Sequence, residues 1–397
     1  MKRQFQIDSL RFDHRPCLRR MTRGRLWQCD EAHLCARQGT VQVGLCVFGG
    51  SKVEVQMLAR ICGTVQIFLT SSAFSIVLSV LLLIALVPVA AVAGDDVWST
   101  INNELTNTSV LALVIDPLDS QIIYVGTDGG GVFKSTNRGD SWTESNNGLT
   151  NKNVRTLVIN PVNRQVVYAG TGKGVFRSID GGRSWKVFGP DLNVPIQALA
   201  IAPATSSRPQ ALYAGTQDGV SRFLIDDSNY WITFKTGLIN PNVRALAVDP
   251  SNPLIVYAGT DGGGVFKSTN GGGSYDSTAM ISTSNDYFIY ALAIDPSDSR
   301  IIYAGTAGKG MFKSIDGGKS WVPFNKGIED ILKGRKLQAL AINPASPQVV
   351  YAGTDGVGVF KSKDGGKSWT DTGLKTDPTV RALAIDPLNP QRVYAGV

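Results

Sequence analysis

The chain has 397 residues, of which 43 are Gly, with 43% hydrophobic residues and a formal net charge of +7. That excess of basic residues sits in the first 60 positions, which carry 11 Lys/Arg against 5 Asp/Glu; from Gly94 onward 28 basic residues face 27 acidic ones, so a nucleic-acid footprint is excluded for the main body. All five cysteines (Cys17, Cys29, Cys35, Cys46, Cys62) and both histidines (His14, His33) precede residue 94, which removes thiol or histidine catalysis and Cys/His zinc sites from the remaining 304 residues.

In chain order, residues 1–60 show no clear period, and Cys17, Cys29, His33 and Cys35 fit no zinc spacing. They read as a basic extension without structure, or as sequence ahead of a true start at Met57. Residues 61–93 read as a signal peptide or a single membrane-spanning helix. The core of this region is "IVLSVLLLIALVPVAAVA" from Ile76, ending in the small residues that a signal peptidase requires. Export with cleavage after Ala93 is the preferred reading. A retained anchor would leave the basic extension in the cytoplasm.

From Gly94 a repeat takes over. An alternating apolar strand ends in Pro at Pro117, Pro161, Pro203, Pro250, Pro296, Pro344 and Pro387, at intervals of 44, 42, 47, 46, 48 and 43 residues. Each copy is followed by a second strand ("IIYVGT", "VVYAGT"), a Gly-rich turn, a third strand ("GVFKS") and a fourth that opens on Trp or Tyr. Four short strands in a period near 45 are the measure of a propeller blade, and helical repeats do not fit. The expected fold for 94–397 is all-β, a seven-bladed β-propeller. Its last blade reads as incomplete: the chain stops at "RVYAGV", and "VWSTINNELT" from Val97 supplies only a fourth strand.

The third turn carries a resemblance. "STNRGDSW" (Ser135–Trp142), "SIDGGRSW" (Ser178–Trp185), "STNGGGSY" (Ser268–Tyr275), "SIDGGKSW" (Ser314–Trp321) and "SKDGGKSW" (Ser362–Trp369) fit S-x-D-x-G-x-[ST]-W. This resembles the Asp-box propellers: bacterial sialidases, xyloglucanases, sortilin-type receptors and photosystem II assembly factors. The third copy, "LIDDSNYW" (Leu224–Trp231), departs from it. The resemblance implies that the boxes are scaffold at the outer end of each blade, away from the ligand face. "GTDGGGVFKS" lacks the spacing of a phosphate loop and joins strand to strand, with no helix N-terminus to meet a phosphate.

Functional candidates are the positions that vary where the scaffold repeats. The second residue of each first strand falls at the channel entrance: Leu111, Arg155, Gln197, Arg244, Tyr290, Gln338 and Arg381. Arg155, Gln197, Arg244, Tyr290, Gln338 and Arg381 are the expected ligand-binding set, suited to carboxylates, phosphates or sugar hydroxyls. Asp128, Asp261 and Asp355 are expected on the same face, and "STSNDYFIY" (Ser282–Tyr290) is expected to gather Tyr287, Phe288 and Tyr290. The xyloglucanase resemblance implies Asp128 as a catalytic candidate, although the same Asp recurs as Asp261 and Asp355 and the family builds its cleft between two propellers. The sialidase Arg-Ile-Pro motif is absent before the first box. No metal or cofactor is expected. The preferred function is an exported, non-catalytic binding or assembly platform for a protein or glycan, touching the membrane only through an uncleaved apolar segment. The alternative is a glycoside hydrolase acting on extracellular polysaccharide.

Overall fold

The computed structural model describes residues 97–397 except 207, 226, 281–286 and 375–378, together with the backbone of 16–18, 28–36, 39–47, 53–58, 65–69 and 91–94. The chain divides into two units, Met1–Val87 and Pro88–Val397. In the first, Pro16–Leu18, Gln28–Ala36, Gly39–Val47, Val53–Leu58 and Val65–Leu69 form an antiparallel five-stranded meander. Strands therefore occur where an extension without periodic structure was expected. Most of the apolar stretch, residues 70–90, lies outside the described residues, as does any helix there; Val65–Leu69 and Ala91–Gly94, at its two ends, are strands.

The second unit is all-β and propeller-like, with no helix among the described residues. Its strands form consecutive antiparallel meanders. The first comprises Val110–Asp116, Asp119–Thr127, Gly131–Ser135 and Thr143–Glu144. The next two run from Val154–Ile159 to Lys186–Phe188 and from Ala198–Ala202 to Ile232–Phe234. The fourth and fifth start at Val243–Val248 and Tyr287–Ile294, and join into one eight-stranded sheet through Asp261↔Phe288 and Gly262↔Tyr287. The sixth runs from Leu337–Ile342 to Thr370–Asp371.

The last meander corrects the expectation of a missing strand. Ala382–Ile385 pairs with Val393–Gly396, then Ala91–Gly94 takes the third place and Val97–Thr100 the fourth. The backbone at the end of the apolar stretch thus stands where "GVFKS" stands in the other copies. A backbone ladder needs no repeat sequence to add a strand, which is why the repeat pattern concealed it.

Adjacent meanders interlock through one glycine each. A side-chain carbon on Gly126 would fall 2.5 Å from Val154 Cγ1, on Gly170 2.7 Å from Ile196 Cγ2, and on Gly259 2.5 Å from Ile289 Cγ2. Gly305 meets Leu337, Gly353 meets Val380, Gly215 meets Val243, and Gly396 meets Val110 in the same way. The last of these contacts closes the ring, and Val110 N also donates to Val397 O (2.9 Å). The recurring "GT" is therefore a close-approach site. The apolar residue that enters each space is itself almost fully buried, as with Val154, Ile196 and Val110.

The box turns hold the outer rim. In Ser178–Trp185, Ser178 Oγ donates to Asp180 Oδ1 (2.7 Å) and accepts from Gly182 N, while Asp180 accepts from Ser184 N and Ser184 Oγ. Gly181 and Gly182 both take positive φ, which lets the turn close around the carboxylate. The box also faces outward to its neighbour. Tyr257 Oη and Lys267 Nζ, one meander earlier, both donate to Gly317 O of the next box (3.1 and 3.0 Å). Tyr124 and Lys134 do the same to Gly181 O, and Tyr303 and Lys313 to Gly365 O. The box tryptophans bridge backward, Trp185 to Ser145 O and Trp369 to Phe324 O. Trp231 keeps this role without a box, donating to Phe188 O at 3.2 Å.

Candidate functional site

The start of each first strand opens on a polar cavity of about 240 Å³ lined by Leu111, Arg155, Gln197, Arg244, Tyr290, Gln338 and Arg381. All six expected ligand-binding residues meet there. The backbone explains why. In five of the seven strands the ladder shifts register at this residue: between Val110 and Ala112, Val154 and Thr156, Val243 and Ala245, Ile289 and Ala291, and Leu337 and Ala339. Each shift is a β-bulge, and a bulged residue leaves the ladder and turns its side chain away from the pleat. Gln197 and Arg381 sit just ahead of their strands, each held by its amide to Gly215 O and Gly396 O (both 2.9 Å).

The side chains form two different arcs. On one, Arg244 Nη2 meets Asp261 Oδ2 at 2.6 Å, and Asn242 Nδ2 donates to the same oxygen at 2.9 Å. Gln197 Nε2 donates in turn to Asn242 Oδ1 at 2.7 Å. The hydrogen bond to Asp261 raises the Arg244 pKa above its ordinary value, against the opposing effect of burial. The Arg244 guanidinium and Lys336 Nζ both lie over the Tyr290 ring, at 5.1 and 5.3 Å. Arg244 Nε is buried with no partner.

On the other arc Arg381 and Arg155 flank Leu111, and both are exposed. Arg155 Nε donates to Asn153 Oδ1 (2.8 Å), and Asn153 Nδ2 donates to Asp128 Oδ1. Neither arginine has a carboxylate partner among the described residues.

The three recurrent aspartates stand on this face, as expected, and each is engaged as a support. Asp128 accepts from Asn153, Asp261 from Asn242 and Arg244, and Asp355 Oδ1 from Thr379 Oγ1 (2.8 Å). The expected aromatic cluster separates. Tyr290 reaches the mouth, while Tyr287 packs edge-on against Phe312 (5.6 Å) beneath Lys309, and Phe288 is exposed. Alternation along the strand and the bulge at Tyr290 send the three rings to different faces.

Sequence reasoning missed Asn153, Asn242 and Lys336. For the asparagines a signal is present: "NKNVR" (Asn151–Arg155) and "NPNVR" (Asn240–Arg244) place the same N-x-N two residues ahead of both arginines. Lys336 comes from the long connection after Lys326, where the turn buries Ile328 and Leu332 and returns the chain to the mouth.

No protein-family model and no curated protein matches this sequence. Solved structures do match. An ancestral GH74 enzyme superposes with a TM-score of 0.60 at 21% identity, covering 78% of this chain and 45% of that one. The fold is a β-propeller. The extracellular domain of a one component system from B. thetaiotaomicron gives 0.58 at 17% identity, covering 74% and 39%. YCF48 bound to D1 peptide gives 0.56 at 13% identity, covering 74% of this chain and 93% of that one. The propeller therefore spans less than half the length of the first two proteins. The likeness to all three is one of fold.

Proposed function

We propose that residues 91–397 form one seven-bladed propeller whose mouth is a recognition surface, and that the protein is an exported, non-catalytic platform for binding or assembling a protein or glycan ligand. The observation that carries this is the cavity lining: three Arg, two Gln and one Tyr, with no carboxylate among the lining residues. Glycosidases work with a pair of carboxyl groups flanking the scissile bond, so a mouth of this composition suits holding an anionic or hydroxyl-rich group better than cleaving one. Asp261 holds Arg244 directly, and Asp128 reaches Arg155 through Asn153. The inward contacts of seven glycines and the cyclic closure at Val110 support the blade count.

Glycoside hydrolysis is the second reading, favoured by one observation. Asp128 stands at the rim, its carboxylate bonded among the described residues to Asn153 alone, in a fold that superposes on a GH74 enzyme. The box turns fit the scaffold role that the Asp-box resemblance implies. The apolar stretch ahead of the propeller supports export; cleavage after Ala93 would remove the paired residues Ala91–Ala93, so a propeller of residues 91–397 goes with retention of that stretch and the membrane as a partner.

The test compares the wild-type chain with a variant carrying Arg155→Ala, Arg244→Ala and Arg381→Ala, both immobilised and presented with cell-envelope protein and with polysaccharides including xyloglucan. Retention of a defined ligand by the wild type and its loss in the variant supports the platform. Release of reducing ends that disappears with Asp128→Ala selects hydrolysis. Retention that is unchanged in the triple variant rules the mouth out.

A further inference from the structure

A second cavity, of about 200 Å³, lies where the third and fourth meanders meet, at the ends of the strands remote from the mouth. It is built by an irregularity. From the repeat proline to the strand tyrosine the third copy is three residues longer than the others, Pro203 to Tyr213 against Pro250 to Tyr257. Across the addition Thr205 and Arg208 pair, Thr205 N donating to Arg208 O and Arg208 N to Thr205 O (2.9 and 3.3 Å). This brings Arg208 and Pro209 to the cavity wall.

Arg222 forms another part of the lining. Its place in the repeat is held by Arg177 in the second meander and by Lys134, Lys267, Lys313 and Lys361 in others, of which Lys134, Lys267 and Lys313 donate to the box carbonyl of the next meander. Arg222 does the same through Nη1 to Gly271 O, a carbonyl that also accepts from Tyr213 Oη (3.1 Å). A guanidinium spreads five donors over three nitrogens in a planar fork, whereas an ammonium presents its three from a single atom, so one bond to a carbonyl leaves the guanidinium with donors on other nitrogens. Arg222 Nε is buried and unpartnered, and the group is stacked on Phe234 at 4.7 Å. Arg208 Nη1 converges on the same Gly271, 3.1 Å from where a side-chain carbon would stand. Among the described residues no carboxylate pairs with Arg208 or Arg222. The walls facing these two cations are apolar, with Pro209, Leu224 and Leu254 among them.

We propose that this cavity is a binding site for a small organic monocarboxylate with a compact apolar body. Two convergent guanidiniums supply the charge and the forked donors that a carboxylate accepts, and the Pro and Leu walls supply contact that an inorganic anion could not use. The cavity is smaller than the sites that hold drug-sized ligands, which confines the ligand to a single ring or a short branched chain. The site is independent of the mouth.

Calorimetric titration of the full chain with benzoate tests the inference, with benzamide and inorganic phosphate as comparison probes. Saturable binding of benzoate at one site is expected, at least tenfold tighter than either comparison probe. Arg208→Gln and Arg222→Lys are each expected to weaken it at least tenfold. Arg208 is exposed, and Arg222→Lys restores the residue that makes the same backbone contact in other meanders, so both variants are expected to fold, as circular dichroism can check. Arg155→Gln at the mouth is expected to leave benzoate affinity unchanged. No saturable heat, benzamide binding as tightly as benzoate, phosphate binding as tightly as benzoate, or full affinity in both arginine variants would each overturn the assignment.

Discussion

Val110 occupies the space that a side chain on Gly396 would need, 2.5 Å from the position of its first carbon. The contact is the same as that between Gly259 and Ile289, but it joins residues from nearly opposite ends of the described propeller. One packing rule therefore serves within the ring and at its closure.

Replacing Gly259 by Ala forces its new methyl against Ile289 and Ala245, in a layer where both sides are packed. Overpacking of this kind costs about 1–3 kcal/mol. Urea denaturation of Gly259→Ala is expected to show a lower midpoint by that amount, and the additional change Ile289→Ala to recover little, since it trades overpacking for a cavity. Ile289→Val, which trims one methyl, is expected to recover more.

Tyr275 stands where other boxes carry Trp, and its hydroxyl is buried without a hydrogen-bond partner. Burial pushes its pKa far up, so the group stays neutral. An unpartnered buried hydroxyl costs about 1–3 kcal/mol. Tyr275→Phe is therefore expected to hold or raise the thermal midpoint, whereas Trp185→Phe, which loses a bond to Ser145 O, is expected to lower it.

The box carboxylates make the rim sensitive to acid. Asp316 is held down at about 2 by the Ser320 hydroxyl and amide. At Asp180 and Asp364 burial acts against the charge, but hydrogen bonds from Ser184 and Ser368 outweigh it, and both also settle at about 2. These groups titrate near 3.9 when unfolded, so their contribution is complete above that value and is lost as pH falls through about 2. Stability measured by denaturant titration is expected to decline from roughly pH 4 to pH 2 for this reason. Asp180→Asn, Asp316→Asn and Asp364→Asn together are expected to flatten that slope, because Asn137 and Asn270 already fill the same place in two natural boxes.

At the mouth, Asp261→Ala removes both partners' anchor and leaves Arg244 with two unsatisfied donor groups. The pair is partly exposed, at 32% for Arg244 and 18% for Asp261. A loss of about 1–2 kcal/mol is expected, short of the cost for a fully buried pair. Arg155→Ala and Arg381→Ala, both exposed, are expected to change stability by less than about 0.5 kcal/mol. That contrast can be read by chemical denaturation before any ligand is known.

The repeat, the four-strand division and the mouth residues were legible in the sequence because they depend on position within a period. Arg155, Gln197, Arg244, Tyr290, Gln338 and Arg381 share one offset, and one offset means one place in a ring. The bulges beneath five of the seven mouth positions were not legible, since a register shift changes pairing without changing residue type. The cross-meander bonds from Tyr257 and Lys267 to Gly317 O were hidden too. They end on a backbone carbonyl, and any residue has one. The small residues up to Ala93 read as the end of an export signal because their composition is that of a cleavage site, while the backbone pairing of Ala91–Gly94 depends on no composition at all.

Val393–Ala395 pair with Ala91–Ala93, across about 300 residues of intervening chain. On a ribosome the earlier of these strands is made first and stays without its partner until nearly all the other meanders have emerged. Each of the others can fold from its own neighbouring sequence. The closing ladder therefore forms late, after the rest has taken shape, and it carries the largest loop-closure entropy among the described sheets. Until that moment the growing propeller is an open arc with an exposed strand edge at each end. That interval, rather than the finished ring, is when the protein is most exposed to aggregation or to capture by a chaperone.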